Sequence, residues 1–447
     1  MTKRKKESLD LSKTDDTNSG ESKLGGESAI PSSSLNEMPK STGIEPNPKR
    51  REKTDHMNNG SGKRKYSKKA IKNTPSRSVP AGTLLEYRLK RLLFNMGYFP
   101  KVGVVMKTSQ DETAVTITDL DVYGIYVHKD FTSKSIWADC KSGGARVHER
   151  ISWIKGIMNT VDINDVIFVK GGVRTEVKQY ARKYGIQIMD LNIVQKLEND
   201  YNIKEDDWTG SWNPATQHNQ LVTLAKVAVP TNDVYKKIAN FISADYWVLD
   251  NYSRIKKIIT AIRELTQMLG ISIPEEQLSS IKWAINELIC LFLLATLNIS
   301  KELYYFNEVE KRETIFGALS AGDVSNEKRR EIFDAAFRVA YSMVQSQIPE
   351  YDPPAHIPPI NLKPPRYSEA YYDLVIRITN NPLQYYDLLR FMDFSLMEYD
   401  LQSRDIEHEQ LKIMFSNYDD LLIGAKTVLH FICEVTGIPR SHFQFLK

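Results

Sequence analysis

Cysteine is scarce in this 447-residue chain: Cys140, Cys290 and Cys433, with no Cys-x-x-Cys pair. That excludes a disulfide framework and a cysteine-built zinc site, and it fits a reducing, intracellular setting. No apolar stretch follows the basic residues at the start, so no secretory leader is expected. The most apolar run, residues 288–297, is bounded by Glu287 and Asn298. It is too short to cross a bilayer and reads as a buried helix, so no membrane partner is expected. There is no P-loop and no dinucleotide-binding glycine fingerprint, so ATP-driven translocation would need another chain. His408-Glu409 lacks the second histidine of a zinc-protease helix, and the eight histidines are scattered.

Phe and Trp are absent from residues 1–80, which hold one tyrosine, Tyr66. A segment so poor in apolar residues cannot offset the entropy of ordering, and it reads as a disordered tail. It holds 18 of the 60 Lys and Arg and 10 of the 56 Asp and Glu, a local excess of +8; the remainder carries 42 and 46. The basic clusters are residues 3–6, residues 49–51, and Lys63, Arg64 and Lys65 followed by Lys68 and Lys69. They suit a nucleic-acid-binding arm, or a nuclear address in a eukaryotic host; a merely solvated tail has the same composition. The expected location is cytoplasmic, or nuclear in a eukaryote.

Residues 81–200 read as a compact α/β unit. Leu85, Leu89, Leu92, Leu93 and Met96 recur at helical spacing and predict a helix over 83–96, stopped by Gly97. Strands are expected over 101–106, 114–127, 135–141 and 165–169, with a short last strand at 186–190. Helices are expected over 147–160 and 175–184. The order is α-β-β-β-α-β-α-β, with early hairpins and later parallel crossovers. Beyond residue 200 the pattern is almost wholly helical: 233–248, 252–269, 275–297, 301–318, 325–347, 368–379, 382–398, 405–416 and 418–435. Seven prolines between 349 and 365 predict an extended connector. The expected organisation is a tail (1–80), an α/β domain (81–200), a helical domain (201–348), a Pro-rich connector (349–366) and a helical C-terminal region (367–447).

The chemistry-bearing pattern lies in the α/β unit. Asp119 and Asp121 are two apart on a strand and so share a face; Asp139 and Lys141 share a face on the next, with Cys140 opposite as a small core residue. If those strands are neighbours, carboxylates and an ammonium converge. Carboxylates without His or Cys favour a hard divalent cation, Mg²⁺ or Mn²⁺. Such a cation polarises a phosphodiester and acidifies a bound water, and a lysine beside it stabilises developing charge. Glu86, at the rim of the first helix, can reach toward the same patch. Blander readings exist: Glu86 pairing with Lys90 at i,i+4, Asp119 as a strand-end turn residue, and Asp139 with Lys141 as a structural ion pair. Arg146, His148 and Arg150, after a Gly-Gly hinge, suit either a phosphate grip or a solvated helix start.

Helix-Glu86, strand-Asp121 (Asp119 as second choice) and strand Asp139-Cys140-Lys141 together resemble the PD-(D/E)XK nuclease superfamily, with its restriction-endonuclease-like α-β-β-β-α-β core. Residues 177–190 look nearest to its Mrr-like and Holliday-junction-resolvase-like branches. No proline precedes Asp121, and the stretch from Asp121 to Asp139 is generous. The resemblance covers about 115 residues and is silent on residues 200–447. It implies an Mg²⁺-dependent endodeoxyribonuclease with Glu86, Asp121, Asp139 and Lys141 as catalytic residues, the three carboxylates as metal ligands, and DNA as partner. A homodimer is the natural way for one-strand sites to cut both strands. The helical region would serve recognition, oligomerisation or a protein partner. The alternative is a non-catalytic nucleic-acid-binding protein on a nuclease-like fold.

Overall fold

Leucines at 85, 89, 92 and 93 build the first helix, α1 (Ala81–Asn95), and Gly97 at φ +97° lets the chain reverse directly into the sheet. The computed structural model describes residues 79–446 apart from 110–113, 142, 145, 162, 227–232, 270–273, 322–325, 353 and 355–362. The expected disordered tail with Lys63, Arg64 and Lys65, and much of the Pro-rich connector, lie outside the described residues.

β1 (Phe99–Lys107), β2 (Thr116–Val127) and β3 (Ser133–Cys140) form an antiparallel meander. β4 (Asp165–Val169) and β5 (Ile186–Met189) then add in parallel, giving the order β1-β2-β3-β4-β5. A short loop suffices for the antiparallel turn, whereas each parallel step needs a crossover helix. These are α2 (Val147–Val161) and α3 (Thr175–Arg182). α4 (Leu191–Asp200), which the sequence reading did not anticipate, follows β5. One sheet face packs Val122, Ile136 and Ala138 against Leu85, Leu89 and Leu92 of α1 and Val194 of α4. The other packs Trp137 and Phe168 against Ile151, Ile154 and Ile157 of α2 and Ala181 of α3. After Asp165, β4 is apolar, Val166 to Val169, because both its faces are covered.

The rest is helical: α5 (Pro214–Lys226), α6 (Val234–Asn240), α7 (Tyr246–Val248), α8 (Asn251–Met268), α9 (Glu275–Leu303), α10 (Glu308–Ala321), α11 (Asn326–Gln347), α12 (Ser368–Asn380), α13 (Pro382–Tyr385), α14 (Leu388–Ser395), α15 (His408–Met414) and α16 (Tyr418–Thr436). α5 was also unanticipated. α9 is long and apolar enough to cross a membrane by length and composition, but 94% of its most apolar window is buried within the protein. It is the axis of the helical core. The helix expected over 301–318 starts later because Asn307 and Glu310 form a capping box: Asn307 Oδ1 accepts from Glu310 N at 3.0 Å, and Glu310 Oε2 accepts from Asn307 N at 2.9 Å.

All described residues belong to one compact unit, and charges seal the sheet to the helical core. Lys101 of β1 reaches Glu287 of α9 at 2.7 Å and Asp393 of α14 at 3.2 Å, all three being buried. Arg390 donates to the Phe94 carbonyl at 2.6 Å. α1 is therefore enclosed on nearly every side. Its Arg91 meets Glu198 at 2.9 Å and the carbonyls of Lys204 and Asp207 at 3.0 and 2.7 Å.

Candidate active site

The β2–β3 ladder runs from Val127↔Ser133 to Val122↔Ala138 and stops. Beyond it the Asp121 carboxylate takes over the strand's role, with Oδ2 accepting the Cys140 N–H at 2.7 Å. On the other side of β2, Val102 pairs with Val122 and Val104 with Leu120, so Gly103 stands across from Asp121. Gly103 has φ +68°, a conformation that side chains resist. The alternation of side chains breaks at this point: Leu120 joins the cluster under α2 and Val122 the cluster under α1. The expectation that Asp119 and Asp121 share a face fails for this reason. Asp119 is exposed, while Asp121 is 16% exposed and turned into the site.

Lys141 joins the strands. Its ammonium lies 3.0 Å from Asp121 Oδ2 and 3.5 Å from Asp139 Oδ1. Asp139 is fully buried, and both its oxygens accept from the Arg150 guanidinium, Oδ2 from Nε at 2.9 Å and Oδ1 from the terminal nitrogen. Arg150 in turn lies 3.6 Å from the centre of the Trp153 ring. The sequence places Arg150 as a candidate phosphate contact; the fold makes it the clamp on Asp139, and nothing in the spacing of α2 signals this. Arg146 pairs with Glu149 at 3.0 Å on an exposed turn, and His148 is exposed beside the Tyr180 ring. Cys140 is a buried core residue.

Glu86 does not pair with Lys90. Lys90 is fully buried and donates to the Ser211 carbonyl at 2.7 Å and to Gln217. Glu86 instead feels the site: its pKa is pushed up to about 7, first by burial, then by repulsion from Asp121, with Lys141 partly opposing. Burial also raises the Asp121 carboxyl, against the pull of Lys141 and the Cys140 N–H. Burial alone would lower Lys141, but Asp139 and Asp121 outweigh it and hold the amine protonated above its usual range.

A pH dependence follows. Glu86 keeps its proton to higher pH in the folded chain than in the unfolded one, so its contribution is full below about pH 4.5 and is lost as pH rises through about 7. Glu86→Gln is expected to be more stable than wild type at pH 8 by about 1–2 kcal/mol, a figure reduced for the partial exposure of the group, and little different at pH 4.5. Urea denaturation of both proteins at the two pH values measures this. Equal stability at pH 8 would show that Glu86 is solvated.

Among the described residues, no three His, Cys, Asp or Glu side chains form a ready-made group for an ion. The donor set nevertheless suits Mg²⁺, which keeps several waters and is commonly bound through one or two carboxylates together with substrate phosphate oxygens. Asp121 supplies hard oxygens beside the Lys141 ammonium, Asp139 would supply its own once the Arg150 clamp opens, and Glu86 is electrostatically coupled to Asp121 and Lys141. No family model, curated protein or solved structure matches the chain.

Proposed function

We propose that this protein is a metal-dependent endonuclease that hydrolyses DNA phosphodiester bonds on a restriction-endonuclease-like core. The observation that carries the reading is the Lys141 ammonium set between Asp121 and Asp139 on adjacent strands. Asp121, Asp139 and Glu86 would hold Mg²⁺ or Mn²⁺, which when bound supplies Lewis-acid polarisation of the phosphate and an acidified water. Lys141, protonated at neutral pH, orients the attacking water and stabilises the charge that grows on the phosphoryl oxygens. Glu86, titrating near 7 before a cation binds, is suited to give up its proton as the site charges.

The second reading, a nuclease-like fold that binds nucleic acid without cutting it, is favoured by one contact: Arg150 already occupies both oxygens of Asp139. Plasmid and single-stranded DNA incubated with Mg²⁺, Mn²⁺ or a chelator separate the two. Metal-dependent cutting that is lost in Asp121→Ala and Asp139→Ala supports the enzyme. Identical behaviour of variants and wild type leaves the binding protein.

A homodimer belongs to the proposal, since one site cuts one strand at a time. Sedimentation of a strict monomer that still makes double-strand breaks would remove it. The basic tail is proposed to touch phosphates through Lys63, Arg64 and Lys65. Deleting residues 1–80 is then expected to flatten the slope of log affinity against log salt by about 3. An unchanged slope retires the arm.

A further inference from the structure

Asp139 is closed to a cation as it stands. It is fully buried, and the Arg150 guanidinium donates to both its oxygens, to Oδ2 from Nε at 2.9 Å and to Oδ1 from a terminal nitrogen. The Lys141 ammonium also approaches Oδ1, at 3.5 Å. Solvent reaches the two cations, whose side chains are 32% and 22% exposed for Lys141 and Arg150, and does not reach the carboxylate they hold. The charge count points the same way. Asp121 and Asp139 face Lys141 and Arg150, so two negative charges are already balanced by two positive ones. A divalent ion entering a neutral, largely buried cluster gives up hydration and gains no net attraction.

One of the two cations must therefore leave before an ion can settle. Lys141 bridges both carboxylates, whereas Arg150 holds Asp139 alone and comes from a separate element, the first turn of α2. Its departure frees both Asp139 oxygens at once and leaves the cluster negative. A planar fork that gives up a carboxylate is matched by a phosphate, which offers two oxygens in the same geometry. Trp153, half-buried one turn along α2, carries the guanidinium 3.6 Å from its ring centre, a contact that uses none of the N–H donors and so survives an exchange of anions. We propose that Arg150 is a latch: it closes Asp139 in the free protein, and it passes to a phosphate of bound nucleic acid and releases Asp139 to the cation. The inference rests on the metal-dependent nuclease reading. Nucleic acid and cation then favour each other by the same factor, and the site stays shut until substrate arrives.

The test uses the full chain and Mn²⁺ alone, with free Mn²⁺ measured by electron paramagnetic resonance. Without DNA, Arg150→Gln is expected to bind Mn²⁺ about 10-fold tighter than wild type, at the low end of the range for changes just outside a metal's ligands. A purely structural clamp predicts the reverse, since its loss would slacken Asp139. The gain should vanish in Arg150→Gln with Asp139→Ala. Arg150→Lys keeps the charge and loses the fork; it should fall between wild type and Arg150→Gln, and it carries the test where the glutamine variant does not fold. In chelator, where no ion is present, Arg150→Gln should bind DNA more weakly, with the slope of log affinity against log salt reduced by about 1, the share of one phosphate contact. Mn²⁺ held no more tightly by either variant than by wild type makes Arg150 a structural clamp and overturns the inference, while Mn²⁺ binding and cutting by the wild type keep the nuclease reading. Tighter Mn²⁺ with an unchanged salt slope overturns the transfer to phosphate. No Mn²⁺ bound by any of these proteins removes the metal reading and the latch with it.

Discussion

On the proposed nuclease reading, Lys141→Met is expected to slow single-turnover cleavage by about 10²–10³-fold, the loss typical of removing one preorganised donor from a developing oxyanion. Methionine keeps much of the stem's length and bulk, so the change isolates the ammonium. That ammonium is the group within 3.0 Å of Asp121 and 3.5 Å of Asp139. Without it, Asp121 loses the main attraction that offsets its burial, and its carboxyl shifts further upward. The residual rate of the variant should therefore need a higher pH and more Mg²⁺ than the wild type. Lys141→Arg is not a rescue, because a planar fork does not reproduce a point charge between two carboxylates. Quenched-flow assays at saturating DNA, across pH 6–9, measure all of this. A variant within a few-fold of wild type would place Lys141 in a structural ion pair and remove it from the chemistry.

Lys101→Met is expected to give the largest loss of stability, about 3–5 kcal/mol, the range for removing one partner of a buried ion pair. Lys101 is buried in β1 and answers two carboxylates at once, Glu287 and Asp393. Each of those carboxylates has a further oxygen with no partner, Glu287 Oε2 and Asp393 Oδ2. Loss of the ammonium thus strands two buried charges, which must take up protons or open the interface between sheet and helical core. The triple change Lys101→Met, Glu287→Gln, Asp393→Asn removes the charges together and should recover more than half of the loss. Urea unfolding followed by tryptophan fluorescence and by circular dichroism checks both proteins. A loss below about 1 kcal/mol for the single variant would show that water reaches the triad.

Much of the α/β unit was legible in the sequence. Apolar residues at 3.6 and 2 spacing located α1, β3, α2 and β4, and β4 begins and ends at the expected residues. Local hydrophobic period and turn chemistry act over a few residues, so they can be read without tertiary knowledge. The capping box at Asn307 and Glu310 is equally local, and it sets the start of α10. α5 escaped because a polar-rich helix carries a weak periodic signal and packing settles it instead, whereas α4 has an amphipathic pattern as clear as that of α1.

What the chain's order alone determined is therefore most elements of the α/β unit, α4 excepted, and the residue types that stand near Asp121 and Asp139. The tertiary structure decided the rest: the kink at Gly103 that separates Asp119 from Asp121, the clamp of Arg150 on Asp139, and the turning of Lys90 away from Glu86 toward Ser211 and Gln217. Each joins groups far apart in sequence or depends on a strand leaving its ladder. Partner choice in a buried, low-dielectric interior is set by which charges the whole fold brings within reach, and no local pattern records that.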